Sequence, residues 1–137
     1  MRTFPGRARV PVAVLAVFAA AACGRSSTGS DNTPPRHDVT IVENAANAGV
    51  NAFSPSTIVI SLATQTRVVW YNADFTSSTY GGEIGIAHRL ASDDGTTFGP
   101  ADIAPKGTLT ATFSSTGAVP YHCTIHPGMV GTVTVNP

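Results

Sequence analysis

Ala118-Val119-Pro120-Tyr121-His122-Cys123-Thr124-Ile125-His126-Pro127-Gly128-Met129-Val130-Gly131-Thr132-Val133-Thr134-Val135 contains two runs rich in apolar and β-branched residues, joined by a short loop. In the second run Val133 and Val135 fall on one face, as the two-residue repeat of a strand requires. Pro127-Gly128 is a chain-reversal signal. The stretch therefore reads as a strand ending at Cys123, a tight loop, and a strand returning from Met129. A pair of this kind needs further strands beside it, and the rest of the chain supplies them.

Upstream, Val39-Thr40-Ile41-Val42 is a short β-prone run, and Thr57 to Leu62 places Ile58, Ile60 and Leu62 on one face. Arg67 to Asn72 follows, then Ala87 to Leu90, and then a segment in which Leu109, Ala111 and Phe113 alternate with Thr110 and Thr112. Turn signals separate these runs at Phe53-Ser54-Pro55, Gly81-Gly82, Asp93-Asp94-Gly95, Pro105-Lys106-Gly107 and Thr116-Gly117. Regular short strands of this kind predict two packed antiparallel sheets with Trp70 and Phe113 in the core. Ala45–Val50 has the length of a helical turn, but Asn44, Asn47 and Gly49 favour a loop. The irregular stretch Ala73 to Ile86 reads as a long loop entering the strand that carries His88.

The 137 residues hold one domain, assigned to residues 38–137, preceded by a targeting segment. Arg2, Arg7 and Arg9 form a basic start, and Val10 to Ala22 is an apolar run too short to span a bilayer comfortably. Residues 1–22 read as a signal peptide. Ala20-Ala21-Ala22 satisfies the small-residue rule for cleavage. Cys23 also resembles the lipidated cysteine of bacterial lipoproteins, with Ala20 where leucine is usual. Both readings send the chain out of the cytoplasm, to the periplasm or another extracytoplasmic space; the second anchors it in the membrane by lipid. A Cys23–Cys123 disulfide is a third use of the two cysteines. Residues 23–37, rich in Gly, Ser, Thr and Pro, read as a flexible tether.

The full chain carries eight basic and eight acidic residues. Loss of the three signal arginines leaves five against eight, a net charge of −3, with no basic cluster, so nucleic-acid binding is not supported.

The chemistry lies in the loop. Cys123, His126 and Met129 have the spacing Cys-x-x-His-x-x-Met; Cys123 is the only cysteine of the globular part and Met129 the only methionine besides the initiator. Thiolate and thioether are soft ligands and imidazole is intermediate, a set suited to copper, whereas zinc sites take Cys and His without a thioether. A trigonal His₂Cys site with weak axial Met needs a second histidine. His122 is next to Cys123 on the same strand and faces the other way, and His37 lies in the tether. His88, between Ala87 and Leu90, is the leading candidate. Taken singly, a β-sheet Cys or Met is usually packing; together at ligand spacing they point to a metal.

Phe53-Ser54-Pro55 with Ile58 and Ile60, Val69-Trp70-Tyr71-Asn72, His88, Gly117, Tyr121-x-Cys123-x-x-His126-Pro127-Gly128-Met129-x-Gly131 and Val133-x-Val135 resemble the cupredoxins, the plastocyanin- and amicyanin-like small blue copper proteins among them. The resemblance implies an all-β Greek-key β-sandwich of about seven or eight strands. It implies one copper ion on His88, Cys123, His126 and Met129. It implies one-electron transfer with transient redox protein partners, by a monomer; four protein ligands leave little open position for catalysis, so the chain reads as not an enzyme. His126 would be the electron port, ringed by Ile125, Pro127 and Val130. An envelope copper carrier or store could use the same ligands. Arg89 stands where many members have Asn, and strand alternation turns it to solvent. Pro120, which has no N–H, requires an edge or an irregularity in its strand.

Overall fold

A computed structural model describes residues 36–77 and 81–137. The expected signal segment, Cys23 and nearly all of the expected tether lie outside the described residues. Eleven strands are present among the described residues: β1 (Val39–Ile41), β2 (Phe53–Ser54), β3 (Thr57–Ser61), β4 (Arg67–Asn72), β5 (Phe75–Ser77), β6 (Glu83–Gly85), β7 (His88–Ser92), β8 (Ala101–Ile103), β9 (Thr108–Thr112), β10 (Gly117–Cys123) and β11 (Val130–Asn136). The expectation is about seven or eight; the four that the sequence runs do not show are β2, β5, β6 and β8, at two or three residues each. Such pieces are too brief to show a repeat in sequence.

One sheet has the order β2-β1-β4-β9 and the other β3-β11-β10-β7-β8, with β5-β6 a separate hairpin. The expectation of purely antiparallel sheets is corrected here. β1 runs parallel to β4, and β3 runs parallel to β11. Parallel neighbours need a crossover rather than a hairpin, so these pairings join segments far apart in the chain. The two sheets enclose one core, in which Val39, Ile41, Val68, Trp70 and Phe113 meet Ile60, Leu90, Ile103, Tyr121, Val133 and Val135. Trp70 packs edge-on to Tyr121 at 5.3 Å between ring centroids, and Phe53 does so at 5.0 Å.

Two segments expected as loops are ordered otherwise. Ala45–Ala48 is one turn of helix, α1, followed by a 3-10 turn at Gly49–Asn51. The stretch 73–86 contains the β5-β6 hairpin, whose tip lies outside the described residues. An ion pair from Lys106 to Glu83 and the Lys106 ammonium 4.9 Å from the Phe75 ring centroid tie that hairpin to the turn before β9. His37, assigned to the tether, stacks on Tyr71 at 5.0 Å and bonds the Thr40 hydroxyl at 2.9 Å. No helix among the described residues is long and apolar enough to cross a membrane.

Pro120 sits where its missing N–H costs nothing. β10 pairs with β11 from Gly117 to His122 but with β7 only from Tyr121 to Cys123. Pro120 is thus paired with Thr132 of β11 but lies beyond the β7 ladder, and its carbonyl accepts the Asp93 N–H at 2.9 Å.

Candidate metal centre

The β7–β10 register explains why two distant residues meet. Cys123 lies opposite Leu90 and Tyr121 opposite Ser92. Opposed residues share a face, and so do residues two apart on one strand. His88, Leu90, Ser92, Tyr121 and Cys123 therefore all point inward, and all five are buried. Beyond the ladder, the Thr124 N–H donates to the Arg89 carbonyl at 2.7 Å, holding the start of the loop against the start of β7. Arg89 itself faces out, with Nε 3.5 Å from Asp102 Oδ1 at the exposed surface.

The loop is closed across its neck by the Cys123 N–H donating to the Met129 carbonyl at 3.0 Å. Within it Gly128 takes a φ of +88°, which L side chains rarely adopt. An added Cβ there would lie 3.7 Å from Gly49 Cα, so the turn after α1 backs the ligand loop at close range. Met129 is fully buried, His126 is half-buried, and Ile125 and Val130 beside it are 50% and 44% exposed.

Three donor atoms converge. His88 Nδ1 and His126 Nδ1 are 3.1 Å apart, and Cys123 Sγ lies 3.8 Å from the first and 3.6 Å from the second. Metal–nitrogen and metal–sulfur bonds of about 2.0–2.3 Å would let one ion reach all three, because each separation is shorter than two such bonds laid end to end. The donor set, two imidazoles and a thiol with a buried methionine following in the loop, fits a copper ion. It is the only cluster of three or more potential His, Cys, Asp or Glu ligands among the described residues. Burial lowers the pKa of His88, outweighing the opposing pull of Asp74, and so favours the neutral imidazole that binds metal.

His122 takes no part, as alternation requires. Its Nδ1 bonds Asp93 Oδ1 at 2.6 Å near the surface. Cys123 is a free thiol in the structure.

Sequence reading missed a buried polar scaffold behind His88. His88 Nε2 is 2.9 Å from Asp74 Oδ2, and Asp74 is 4% exposed. Asn72, fully buried, accepts the Asp74 N–H through Oδ1 at 2.9 Å and donates Nδ2 to the Ile86 and Ile103 carbonyls at 2.8 and 3.0 Å. A signal for it was present. Trp70, Asn72 and Asp74 are spaced by two, so the face that buries Trp70 should also carry Asn72 and Asp74. A carboxylate on a core face is seldom there without a task.

No family model matches the sequence, and no curated protein matches it. Solved structures do. A purple cupredoxin from Nitrosopumilus maritimus is 23% identical, with a TM-score of 0.58, over 74% of this chain and 100% of that one. A copper-containing nitrite reductase from Thermus scotoductus SA-01 is 25% identical, with a TM-score of 0.53, over 95% of this chain but 28% of the enzyme. Plastocyanin from Dryopteris crassirhizoma is 18% identical with a TM-score of 0.49, over 72% of this chain and 98% of that one. The chain has the cupredoxin fold, with a His-Cys-His cluster and a buried Met whose donor set fits a type 1 copper site.

Proposed function

We propose that this protein is a type 1 copper protein that carries single electrons between redox partners outside the cytoplasm. His88, Cys123 and His126 would hold the ion, with the buried Met129 completing the donor set. The observation that carries the reading is the convergence of the two imidazole nitrogens and the thiol sulfur within 4.8 Å at the end of a paired β-ladder. When bound, copper supplies a one-electron couple. The chain's own residues supply rigidity. The ladder fixes Cys123 against Leu90, the Met129 carbonyl closes the loop, and the buried faces of His88 and Met129 keep water out. His126 is the member of the set nearest solvent, and exposed Ile125, Pro127 and Val130 around it suit brief contact with a partner. A centre whose ligands are held by the fold rearranges little when its charge changes, which favours electron exchange over substrate turnover. Residues 1–22 would direct export, and a lipid on Cys23 would anchor the domain through the following tether.

Loading the mature protein with Cu(II) tests the site. An intense visible band with narrow copper hyperfine splitting is expected, and Cys123→Ala abolishes it; a colourless complex sinks the reading. His88→Ala should also lose the band unless imidazole is added. Copper retained through repeated oxidation and reduction supports a shuttle, whereas ready transfer to a competing chelator would favour an envelope carrier. Mass spectrometry of the mature N-terminus decides between lipidation and simple cleavage.

A further inference from the structure

We propose that Asp74 is the positioning residue of this centre: it fixes the ring of His88 and uses its negative charge to favour the oxidised ion. The proposal rests on the copper reading above and deepens it.

Two observations carry it. The first is direction. His88 turns Nδ1 toward Cys123 and His126 and Nε2 toward Asp74 Oδ2, 2.9 Å away, inside a fully buried environment. An acceptor-only carboxylate at Nε2 requires the proton on that nitrogen and leaves the Nδ1 lone pair for a metal. The second is charge balance. Asp74 accepts the backbone N–H of Asn44 at Oδ1 (2.7 Å) and of Ala45 at Oδ2 (3.2 Å). These bonds hold the carboxyl group in place, and the His88 ring is the only Lys, Arg or His side chain at ion-pair distance from it among the described residues. A buried carboxylate whose only such neighbour is an imidazole is costly. A metal cation on the far side of the imidazole offsets that cost, and a doubly charged ion offsets it more than a singly charged one. The reduction potential should therefore lie lower than it would with a neutral acceptor at this position.

The same carboxylate links the site to a second segment. Asn44 and Ala45 begin α1, and the turn after α1 contacts Gly128 of the ligand loop. Asp74 thus anchors both the buried histidine and the segment that backs the loop.

The test has one arm without metal and one with it. In the apoprotein, two-bond ¹H–¹⁵N spectra at neutral pH should report His88 as the Nε2–H tautomer; an Nδ1–H tautomer overturns the proposal. That arm stands even if the protein gives no coloured copper complex, a result that would sink the functional reading instead. In the copper-loaded protein, Asp74→Asn should weaken Cu(II) binding relative to Cu(I) by about tenfold, at the lower end of the effect of such partners. For a one-electron couple this raises the midpoint potential by about 59 mV. Asp74→Glu, which restores the charge, should bring the potential back toward that of the unaltered protein. An unchanged or lower potential in Asp74→Asn, with the visible band intact, overturns the proposal. Should Asp74→Asn fail to fold, the tautomer of the unaltered protein still decides.

Discussion

Gly131 lies opposite Tyr121 on the β10–β11 ladder, two residues after Met129. A Cβ added there would fall inside van der Waals contact of Tyr121 Cζ and Oη and 2.9 Å from Cε1, where carbon pairs prefer about 3.5–4.0 Å. The tyrosine ring has nowhere to go. It is 1% exposed and boxed in by Phe53, Trp70 and Phe98, with centroids 5.0, 5.3 and 6.2 Å away. Gly131→Ala therefore forces either the ring or β11 to move, and overpacking of this kind costs about 1–3 kcal/mol. At about 4–8 °C per kcal/mol for a domain near 100 residues, the melting temperature should fall by roughly 5–20 °C. Thermal unfolding of the apoprotein measures this, with Gly99→Ala as control, since nothing lies within 4 Å of a Cβ at that position. Tyr121→Phe removes one of the colliding atoms, so it should recover part of the loss in a double-mutant cycle. A Gly131→Ala protein within about 0.5 kcal/mol of the parent, the range of an ordinary surface change, would refute the packing argument.

Four further outcomes are expected of the same molecule. His122→Ala should keep the visible copper band, because that ring is engaged with Asp93 on the other face; absorption spectroscopy decides, and a lost band would move the ligand role to His122. Burial raises the pKa of Tyr121 to about 12, the nearby Trp70 indole offsetting only part of the shift. The unfolded chain then loses its proton first as pH rises, so stability falls between about pH 10 and 12 by up to roughly 2.7 kcal/mol. Urea midpoints across that window should show the slope, and Tyr121→Phe should flatten it. Trp70→Ala should destabilise by about 3–5 kcal/mol in equilibrium unfolding, since the indole is fully buried at the junction of the sheets. Copper at 100 times its dissociation constant should stabilise the fold by about 2.7 kcal/mol, read as a melting shift that a chelator reverses and Cys123→Ala abolishes.

What the sequence revealed and what it hid divide along physical lines. β3, β9 and β11 were legible because each buries one face and alternates, as with Ile58, Ile60 and Leu62, whereas β4, buried on both faces at its end, was legible as the β-prone run Val68-Val69-Trp70-Tyr71. The Cys123–Met129 loop stood out as the candidate site because a soft-donor set at fixed spacing has few other uses. The β5-β6 hairpin was not, since its strands are short and Ile84 is 61% exposed, leaving no inside-outside alternation to read. α1 was hidden for a different reason. No side chain of its own caps it; its first N–H groups are taken by Asp74, some thirty residues away. The parallel pairings β1–β4 and β3–β11 are likewise decided by sheet packing at long range. That His88 meets Cys123 and His126 could be expected by elimination, but its partner Asp74 required the two-residue count to be carried past the end of an obvious strand.

The centre draws its rigidity from both halves of the sandwich. Cys123 and His88 are aligned by β10 and β7 in one sheet, whereas Asp74 follows β4 of the other and reaches across to the far nitrogen of His88. His126 and Met129 depend on a loop that is closed at its neck and backed by Gly49. A shift in either sheet must therefore move one candidate ligand relative to the others. This sets the site apart from one assembled on a single hairpin, whose ligands could travel together. It follows that strain introduced at Gly131, beyond the metal ligands, should reach the copper spectrum as well as the melting curve. Substitutions on the outward face, such as His122→Ala, should reach neither.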